Sequence, residues 1–179
     1  IKGALHLVWE ELSEPDLPHK GNLLPWEKLQ DKLIELGISN TAEIFVYGDS
    51  LEGWGEEGRI AWTLRTLGHR KTYIIDGGFP HLKKLNMPLG SGNPSKTRRN
   101  KFSLSVNKSY TIDKNQIQSI LSQKFKKPSE KIVFLDTREY REFIGGVPYG
   151  EARGGHLPGA VHIHFKEFLD KDGKILSEK

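Results

Sequence analysis

The sequence predicts an α/β protein in which helices flank a mainly parallel β-sheet. Short runs of strand-forming residues alternate along the chain with stretches of helical periodicity, which is the pattern of α/β layers. The strand runs are followed at once by glycine or aspartate, residues that are typical of turns. With 179 residues, of which 36% are hydrophobic, the chain is long enough to bury a substantial core.

The predicted elements alternate in both halves of the chain. In the first half they are a helix over residues 26–36, a strand over 43–47, a helix over 59–67 and a strand over 71–75. In the second half, Asp113 is a suitable N-cap for a helix to about residue 125, and a buried strand covers 131–135. Sites in such sheets form in loops at the carboxyl ends of strands, so the loops after Tyr47 and Leu135 are the candidate sites.

Residues 86–109 form the predicted linker between the two halves. Turn-forming proline and glycine lead into a basic run that contains Lys96, Arg98, Arg99 and Lys101. The segment has no amphipathic period, and no platform of aromatic residues is interleaved with its basic residues. We therefore expect a solvated linker and no nucleic-acid partner.

Charge, hydropathy and cysteine content exclude several classes of protein. The 27 Lys and Arg and the 23 Asp and Glu give a net charge of +4, so wholesale disorder is not expected. No apolar run approaches the roughly 20 residues of a membrane-spanning helix, and we expect no membrane partner. The chain opens without a signal-peptide pattern and without Met, so we expect its true start elsewhere and take the cytoplasm as the default location. Cysteine is absent, which excludes disulfides, thiolate metal sites and a cysteine nucleophile within these residues.

The chain contains an internal repeat. Residues 1–12 align with residues 157–168, with identical Gly, Ala, His and Glu and with similar apolar residues between them. Such a repeat implies two similar domains in tandem. The first copy has no counterpart of residues 131–156 before it, and the second has no counterpart of residues 43–78 after it. We therefore expect two partial domains, the C-terminal part of a first one over 1–85 and the N-terminal part of a second one over 110–179.

Two segments resemble the halves of a rhodanese domain. Residues 134–177 are similar to its first half, with an L-D-x-R strand end at 135–138 and a G-H-[IL]-x-G-A element at 155–160. Residues 46–79 are similar to its second half and end in a D-G-G-[FW] pattern at 76–79. The most similar type is the tandem-domain thiosulfate sulfurtransferase. The resemblance implies a rhodanese-like fold with two tandem domains, each only partly present.

The resemblance also implies an activity, the transfer of sulfane sulfur from thiosulfate to a thiophilic acceptor such as cyanide through a cysteine persulfide. The resemblance implies no cofactor. It implies two partners for the protein, a small anionic sulfur donor and the thiophilic acceptor. The family's cysteine follows the strand directly and falls on Gly48 here, which fits a non-catalytic first domain. This loop is also acidic, which disfavours a dianion; its carboxylates belong to Asp49, Glu52, Glu56 and Glu57. The cysteine of the second domain is expected about 25 residues beyond Lys179, so the chain alone should be inactive.

Three residues of the second half are candidate site residues. In the family, the Arg of the L-D-x-R motif contacts the substrate, which here implies Arg138, and a guanidinium suits this role because it grips an oxyanion bidentately. An ion pair between Arg138 and Asp136 is the alternative, and the two roles can coexist. Asp136 is interpreted as a structural hydrogen-bond partner, and His156 as a residue that stabilises a turn. We expect no metal site, because His162 and His164 share one strand face without a third ligand.

Other functions remain open at this point. One is a 3-mercaptopyruvate sulfurtransferase, and another is a non-catalytic rhodanese module that acts in binding or in sulfur-carrier docking. A phosphatase on the same fold needs a longer cysteine loop, and nothing in the sequence supports it. The strands over 43–47 and 131–135 would present unpaired apolar edges. We therefore expect a companion fragment of the same protein in preference to pairing of the two halves with each other.

Overall fold

The computed structural model describes residues 1–16, 19–92, 100–126 and 132–177, with only the backbone described over 123–126. The basic run of the predicted linker from Lys96 to Arg99 lies outside these residues. The chain forms two compact units: unit 1 comprises Ile1–Thr111 with Lys171–Lys174, and unit 2 comprises Ile112–Asp170 with Ile175–Lys179. No helix within the described ranges has the length and apolar character needed to cross a membrane.

Unit 1 has the alternating order that the sequence predicts. Its elements are α1 (Trp26–Glu35), β1 (Ile44–Val46), α2 (Glu56–Thr66), β2 (Thr72–Ile74) and α3 (Gly78–Lys84), with short 3-10 helices over Trp9–Leu12 and Lys108–Tyr110. The two strands pair in parallel, with Ile44 opposite Thr72 and Val46 opposite Ile74. The helix predicted at 26–36 and both predicted strands are confirmed.

Helix α2 begins at Glu56, three residues before the predicted start at 59. Gly55 precedes it in a left-handed conformation with φ of 80°, which glycine adopts without strain. Glu56 and Glu57 then occupy the first turn, where the helix dipole favours negative charge. The sequence pattern missed this turn because only the later residues carry the apolar period.

The core of unit 1 lies between α1, α2 and β1. Leu29 and Leu33, one turn apart on α1, are completely buried, and Leu64 of α2 is 1% exposed. Val46 of β1 belongs to the same cluster. Burial of a leucine side chain contributes about 1.5–3 kcal/mol, so these contacts hold the helices against the sheet.

The second half of the predicted linker packs on unit 1. Phe102 is 3% exposed, and the side chain of Gln30 donates a hydrogen bond of 2.7 Å to its carbonyl. The backbone N–H groups of Ser105 and Asn107 donate to carbonyls at the carboxyl end of α2, at 3.1 and 2.8 Å. The last carbonyls of a helix have no partner within it, so this segment caps α2. The expectation of a solvated linker therefore does not hold here.

Unit 2 contains α4 (Lys114–Lys126), β3 (Leu135–Asp136), α5 (Tyr140–Phe143), β4 (Val161–His162) and a 3-10 helix over Phe165–Phe168. The predicted cap is present, because the Asp113 carboxylate accepts from the Gln116 N–H and the Gln116 side chain accepts from the Asp113 N–H, both at 2.8 Å. β3 is shorter than the predicted strand over 131–135, because its parallel partner β4 pairs with Leu135 and Asp136 alone. Residue 131 lies outside the described residues.

The internal repeat is visible in the local structure of each unit. The 3-10 helices Trp9–Leu12 and Phe165–Phe168 occupy corresponding positions of the two copies. In each, a glutamate side chain accepts a hydrogen bond from the N–H of the residue before the helix: Glu11 from Val8 at 3.5 Å, and Glu167 from His164 at 3.0 Å. An antiparallel bridge follows in both copies. The repeated sequence therefore encodes a repeated local fold.

The described strands leave apolar side chains exposed in both units. On the β1–β2 pair, Phe45 is 59% and Tyr73 43% exposed, and their rings stack with centroids 5.5 Å apart. On the β3–β4 pair, Leu135 is 55% and Val161 49% exposed. Each of these sheets has two strands within the described part of the chain, so the open apolar strand surfaces expected from the sequence are present.

Candidate functional site

The first candidate site is the loop between β1 and α2, which begins at Gly48. The Gly48 carbonyl accepts a hydrogen bond from the Phe79 N–H at 2.8 Å, so the loop is fixed against the turn at 76–79. Gly78 in this turn has φ of 52°, and a Cβ on it would lie 2.5 Å from the Gly48 carbonyl oxygen. Glycine is therefore required at this position for both space and conformation.

The space beside Gly48 is filled by the carboxylate of Glu57. A Cβ on Gly48 would overlap Glu57 Oε2 and would lie 3.3 Å from its Cδ. Glu57 Oε2 is buried and accepts no hydrogen bond from the part of the chain that the structure describes. The resemblance predicts that the family's nucleophile would fall on Gly48, and the space where a side chain would begin there holds a carboxylate.

The loop also uses its own carboxylates to occupy its backbone donors. Asp49 Oδ1 accepts from the N–H groups of Leu51 and Glu52, both at 3.1 Å. Glu56 Oε2 accepts from the Trp54 N–H at 2.9 Å. A loop that cradles an anion needs such N–H groups free and pointing at the ligand. These three N–H groups already donate to carboxylates, so they are not available to an incoming anion, and the carboxylates would repel it.

The second candidate site lies at the carboxyl end of β3, where Arg138 and Asp136 form a bidentate ion pair. Arg138 Nε donates to Asp136 Oδ1 at 3.0 Å, and its Nη2 donates to Oδ2 at 2.7 Å. The Asp136 side chain is only 10% exposed. Hydrogen bonding to the guanidinium holds the pKa of the Asp136 carboxyl below its ordinary value. The ion pair that the sequence left open as an alternative is therefore present.

Arg138 also ties the strand end to the turn at 155–160. Its Nη2 donates to the Gly155 carbonyl at 2.8 Å, and its Nη1 lies 3.5 Å from Glu142 Oε1. The Arg138 side chain remains 44% exposed, although each of its guanidinium nitrogens faces a carboxylate or carbonyl oxygen. The substrate contact expected for Arg138 stays a prediction.

His156 holds the same turn from the other side. Its Nδ1 donates to the Phe143 carbonyl at 2.7 Å, and its ring stacks on the Phe143 ring with centroids 3.8 Å apart. These are contacts of the kind expected for a turn-stabilising histidine. His162 donates from Nε2 to the Arg138 carbonyl at 2.8 Å. The described residues contain no group of three or more His, Cys, Asp or Glu placed to hold a metal ion.

Two residues of these sites were not assigned a site role from the sequence. Glu142 is 8% exposed and lies four residues after Arg138, a helical spacing that could have indicated the contact. Glu57 was noted only as part of the acidic loop. Its orientation toward Gly48 depends on how α2 packs after the loop, and no local pattern signals it.

The chain is similar to curated sulfurtransferases, although no family model matches it. It is 29% identical to 3-mercaptopyruvate sulfurtransferase of Mus musculus, and 30% identical to thiosulfate sulfurtransferase of both Rattus norvegicus and Bos taurus. Each similarity extends over 177 residues, which are 97% of this chain and 57% of the relative. The chain therefore spans little more than half the length of these relatives.

Solved structures share the fold at lower identity. The crystal structure of YnjE superimposes with a TM-score of 0.82 and 22% identity, covering 99% of this chain and 42% of that one. The wild-type structure of EanB does so with a TM-score of 0.78 and 19% identity, covering 99% and 44%. At these identities the likeness establishes a common α/β fold.

Proposed function

We propose that this chain is part of a rhodanese-like sulfurtransferase, and that the protein it represents moves sulfane sulfur from thiosulfate to a thiophilic acceptor such as cyanide. The observation that carries the proposal is the first loop, where Glu57 fills the space beside Gly48 and the carboxylates occupy the backbone donors. A loop so constructed does no sulfur chemistry. The chemistry is therefore assigned to the second of two tandem domains, of which residues 110–179 form the N-terminal part.

The transfer needs a cysteine thiolate, which these 179 residues do not contain. The thiolate attacks the outer sulfur of thiosulfate, the sulfur–sulfur bond breaks, and sulfite leaves with the electron pair. Cyanide then attacks the outer sulfur of the persulfide, thiocyanate leaves, and the thiolate is restored. We place this cysteine in a loop that follows Lys179, and we assign no catalytic residue within the chain.

Arg138 is the residue of this chain to which we assign binding of the substrate anion. Its two hydrogen bonds to Asp136 and the bond to Gly155 fix the guanidinium before any ligand arrives. A guanidinium that is already fixed, on a side chain that is 44% exposed, can hold an oxyanion at a small entropic cost. Asp136 and His156 support it by holding the strand end and the turn.

Steady-state kinetics of the longer protein, carrying this chain and the downstream cysteine loop, test the proposal. Arg138→Ala should raise the Michaelis constant for thiosulfate at least about tenfold, because a charge-assisted hydrogen bond contributes about 1.5–3 kcal/mol. Arg153→Ala removes an exposed arginine of the same unit and should leave the constant unchanged. If Arg138→Ala lowers stability but leaves the Michaelis constant unchanged, Arg138 has only its structural ion pair.

A second candidate is a 3-mercaptopyruvate sulfurtransferase, favoured by the 29% identity to the mouse protein of that name. The two candidates differ in the sulfur donor, since mercaptopyruvate carries one carboxylate and thiosulfate is a compact dianion. The ratio of kcat/KM for the two donors in the longer protein distinguishes them. A protein that uses neither donor would instead support the non-catalytic binding module.

A further inference from the structure

Unit 1 has a pocket beside the turn that precedes β2, at the opposite end of the parallel strands from the Gly48 loop. The pocket has a volume of about 590 Å³, which is in the range of small-molecule sites. One wall is the turn between α2 and β2, which includes Gly68 and Arg70, and the other is the segment that caps α2, from Ser105 to Tyr110. The capping bonds from Ser105 and Asn107 to α2 hold the two walls together.

The charge of this pocket is positive. Arg65 and Arg70 both line it, and none of its described lining residues is Asp or Glu. Arg65 is oriented by its Nε and Nη2, which donate to the Thr72 carbonyl at 3.3 and 2.8 Å. Arg70 is exposed and forms no hydrogen bond or ion pair with the described residues.

Two other polar side chains of the pocket, those of Asn107 and His69, have hydrogen-bond partners in unit 1. Asn107 Oδ1 accepts from the N–H and hydroxyl of Ser109, which leaves the Asn107 side-chain N–H groups as donors. His69 is completely buried, with Nε2 3.2 Å from the Ser39 carbonyl and Nδ1 2.7 Å from the Thr72 hydroxyl. It is neutral and structural, so the arginines carry the pocket's charge. Tyr110 adds an aromatic ring to the lining.

We propose that this pocket binds a small organic dianion, a phosphomonoester or a dicarboxylate, through Arg65 and Arg70. Two guanidinium groups that line one pocket can each bind an oxyanion oxygen, and the volume leaves room for an organic body beside Tyr110. Inorganic ions are too small to fill the pocket. All described lining residues of the pocket belong to unit 1, and none of them is a residue assigned to the proposed sulfur chemistry.

An NMR titration of the 179-residue chain at 150 mM salt tests the proposal with three probes. AMP supplies a phosphomonoester, phthalate supplies a dicarboxylate, and adenosine supplies the body of AMP without its charge. At least one dianion should bind with a Kd below about 1 mM and shift the amides of residues 68–70 and 105–107, whereas adenosine should not. If only AMP binds, the ligand is a phosphomonoester, and if only phthalate binds, it is a dicarboxylate. Binding of both shows that the pocket recognises dianions of either kind.

The variant Arg70→Gln should weaken this binding at least about tenfold, because it removes a charge-assisted contact. Arg70 contacts no described side chain, so its loss should leave the rest of the spectrum unchanged. Arg153→Gln, which removes an exposed arginine of unit 2, serves as the matched control and should bind as the original chain does. Binding of neither dianion at 20 mM, equal binding of adenosine, or full binding by Arg70→Gln would overturn the proposal.

Discussion

Replacing Gly48 by alanine should destabilise unit 1 because the new Cβ competes with Glu57 for one space. The Cβ would overlap Glu57 Oε2 and would lie 3.3 Å from Cδ and 3.6 Å from Cβ of the same side chain. The backbone at Gly48 is not in the left-handed region, so the cost is one of packing and not of conformation. Overpacking costs about 1–3 kcal/mol, and we expect the lower end, about 1 kcal/mol, because the overlapping atom is the end of a flexible side chain.

A double-mutant cycle isolates this contact. Glu57→Ala removes the competing carboxylate, so Gly48→Ala should cost little in the Glu57→Ala background, with a coupling of about 1 kcal/mol or more. Gly58→Ala is the matched control, because a Cβ there meets nothing within 4 Å. Because the position is helical and has room for a Cβ, Gly58→Ala should stabilise unit 1 by about 0.5–1 kcal/mol.

Urea unfolding followed by tryptophan fluorescence measures the cycle. All four tryptophans precede residue 63, so the signal reports unit 1 alone. If the two substitutions prove additive within about 0.5 kcal/mol, or if Gly48→Ala is as stable as Gly58→Ala, Glu57 does not occupy the space beside Gly48 and the reasoning about the first loop is refuted.

Two further predictions concern the state of the folded chain. Burial lowers the pKa of His69, so below about pH 6.5 the unfolded chain binds a proton at this residue that the folded chain does not bind. The free energy of unfolding of unit 1 should therefore fall from pH 7 to 5, by up to about 1.4 kcal/mol per pH unit. Urea titrations at several pH values measure this slope, and His69→Gln should flatten it. In soluble material we expect a companion fragment to cover the exposed strand surfaces around Phe45 and Leu135. Denaturing mass spectrometry should therefore find a second species that contains cysteine. A single species of 20.3 kDa would instead support pairing of the two halves with each other.

Much of the fold could be predicted because local and tertiary preferences agree. The strands around Phe45 and Tyr73 are short β-forming runs that end at Gly or Asp, and in the structure they pair with each other as parallel strands. Asp113 caps its helix as the sequence suggested, because the contact, which the structure shows to be with Gln116, is made within one turn. The repeat could be predicted because its glutamate caps also act within one turn of chain.

The features that escaped prediction depend on contacts between distant residues. Phe102 lies in a basic, turn-rich stretch, yet it is buried because the segment caps α2 and joins the core from 35 residues beyond that helix's cap at Leu67. β3 is shortened because strand length depends on the partner that pairs with it, not on its own apolar run. The orientation of Glu57 follows from helix packing, whereas the Arg138–Asp136 pair could be anticipated from their separation by one residue.

A thiosulfate:cyanide assay of the purified 179-residue chain tests most directly whether sulfur transfer depends on a cysteine outside these residues. We expect thiocyanate to form at the uncatalysed rate, because the chain has no thiol to carry the persulfide and its first loop holds Glu57 at the corresponding position. Bovine thiosulfate sulfurtransferase in the same buffer shows that the assay detects transfer. Thiocyanate formation by the chain above the uncatalysed rate would contradict the assignment of the chemistry to a downstream cysteine.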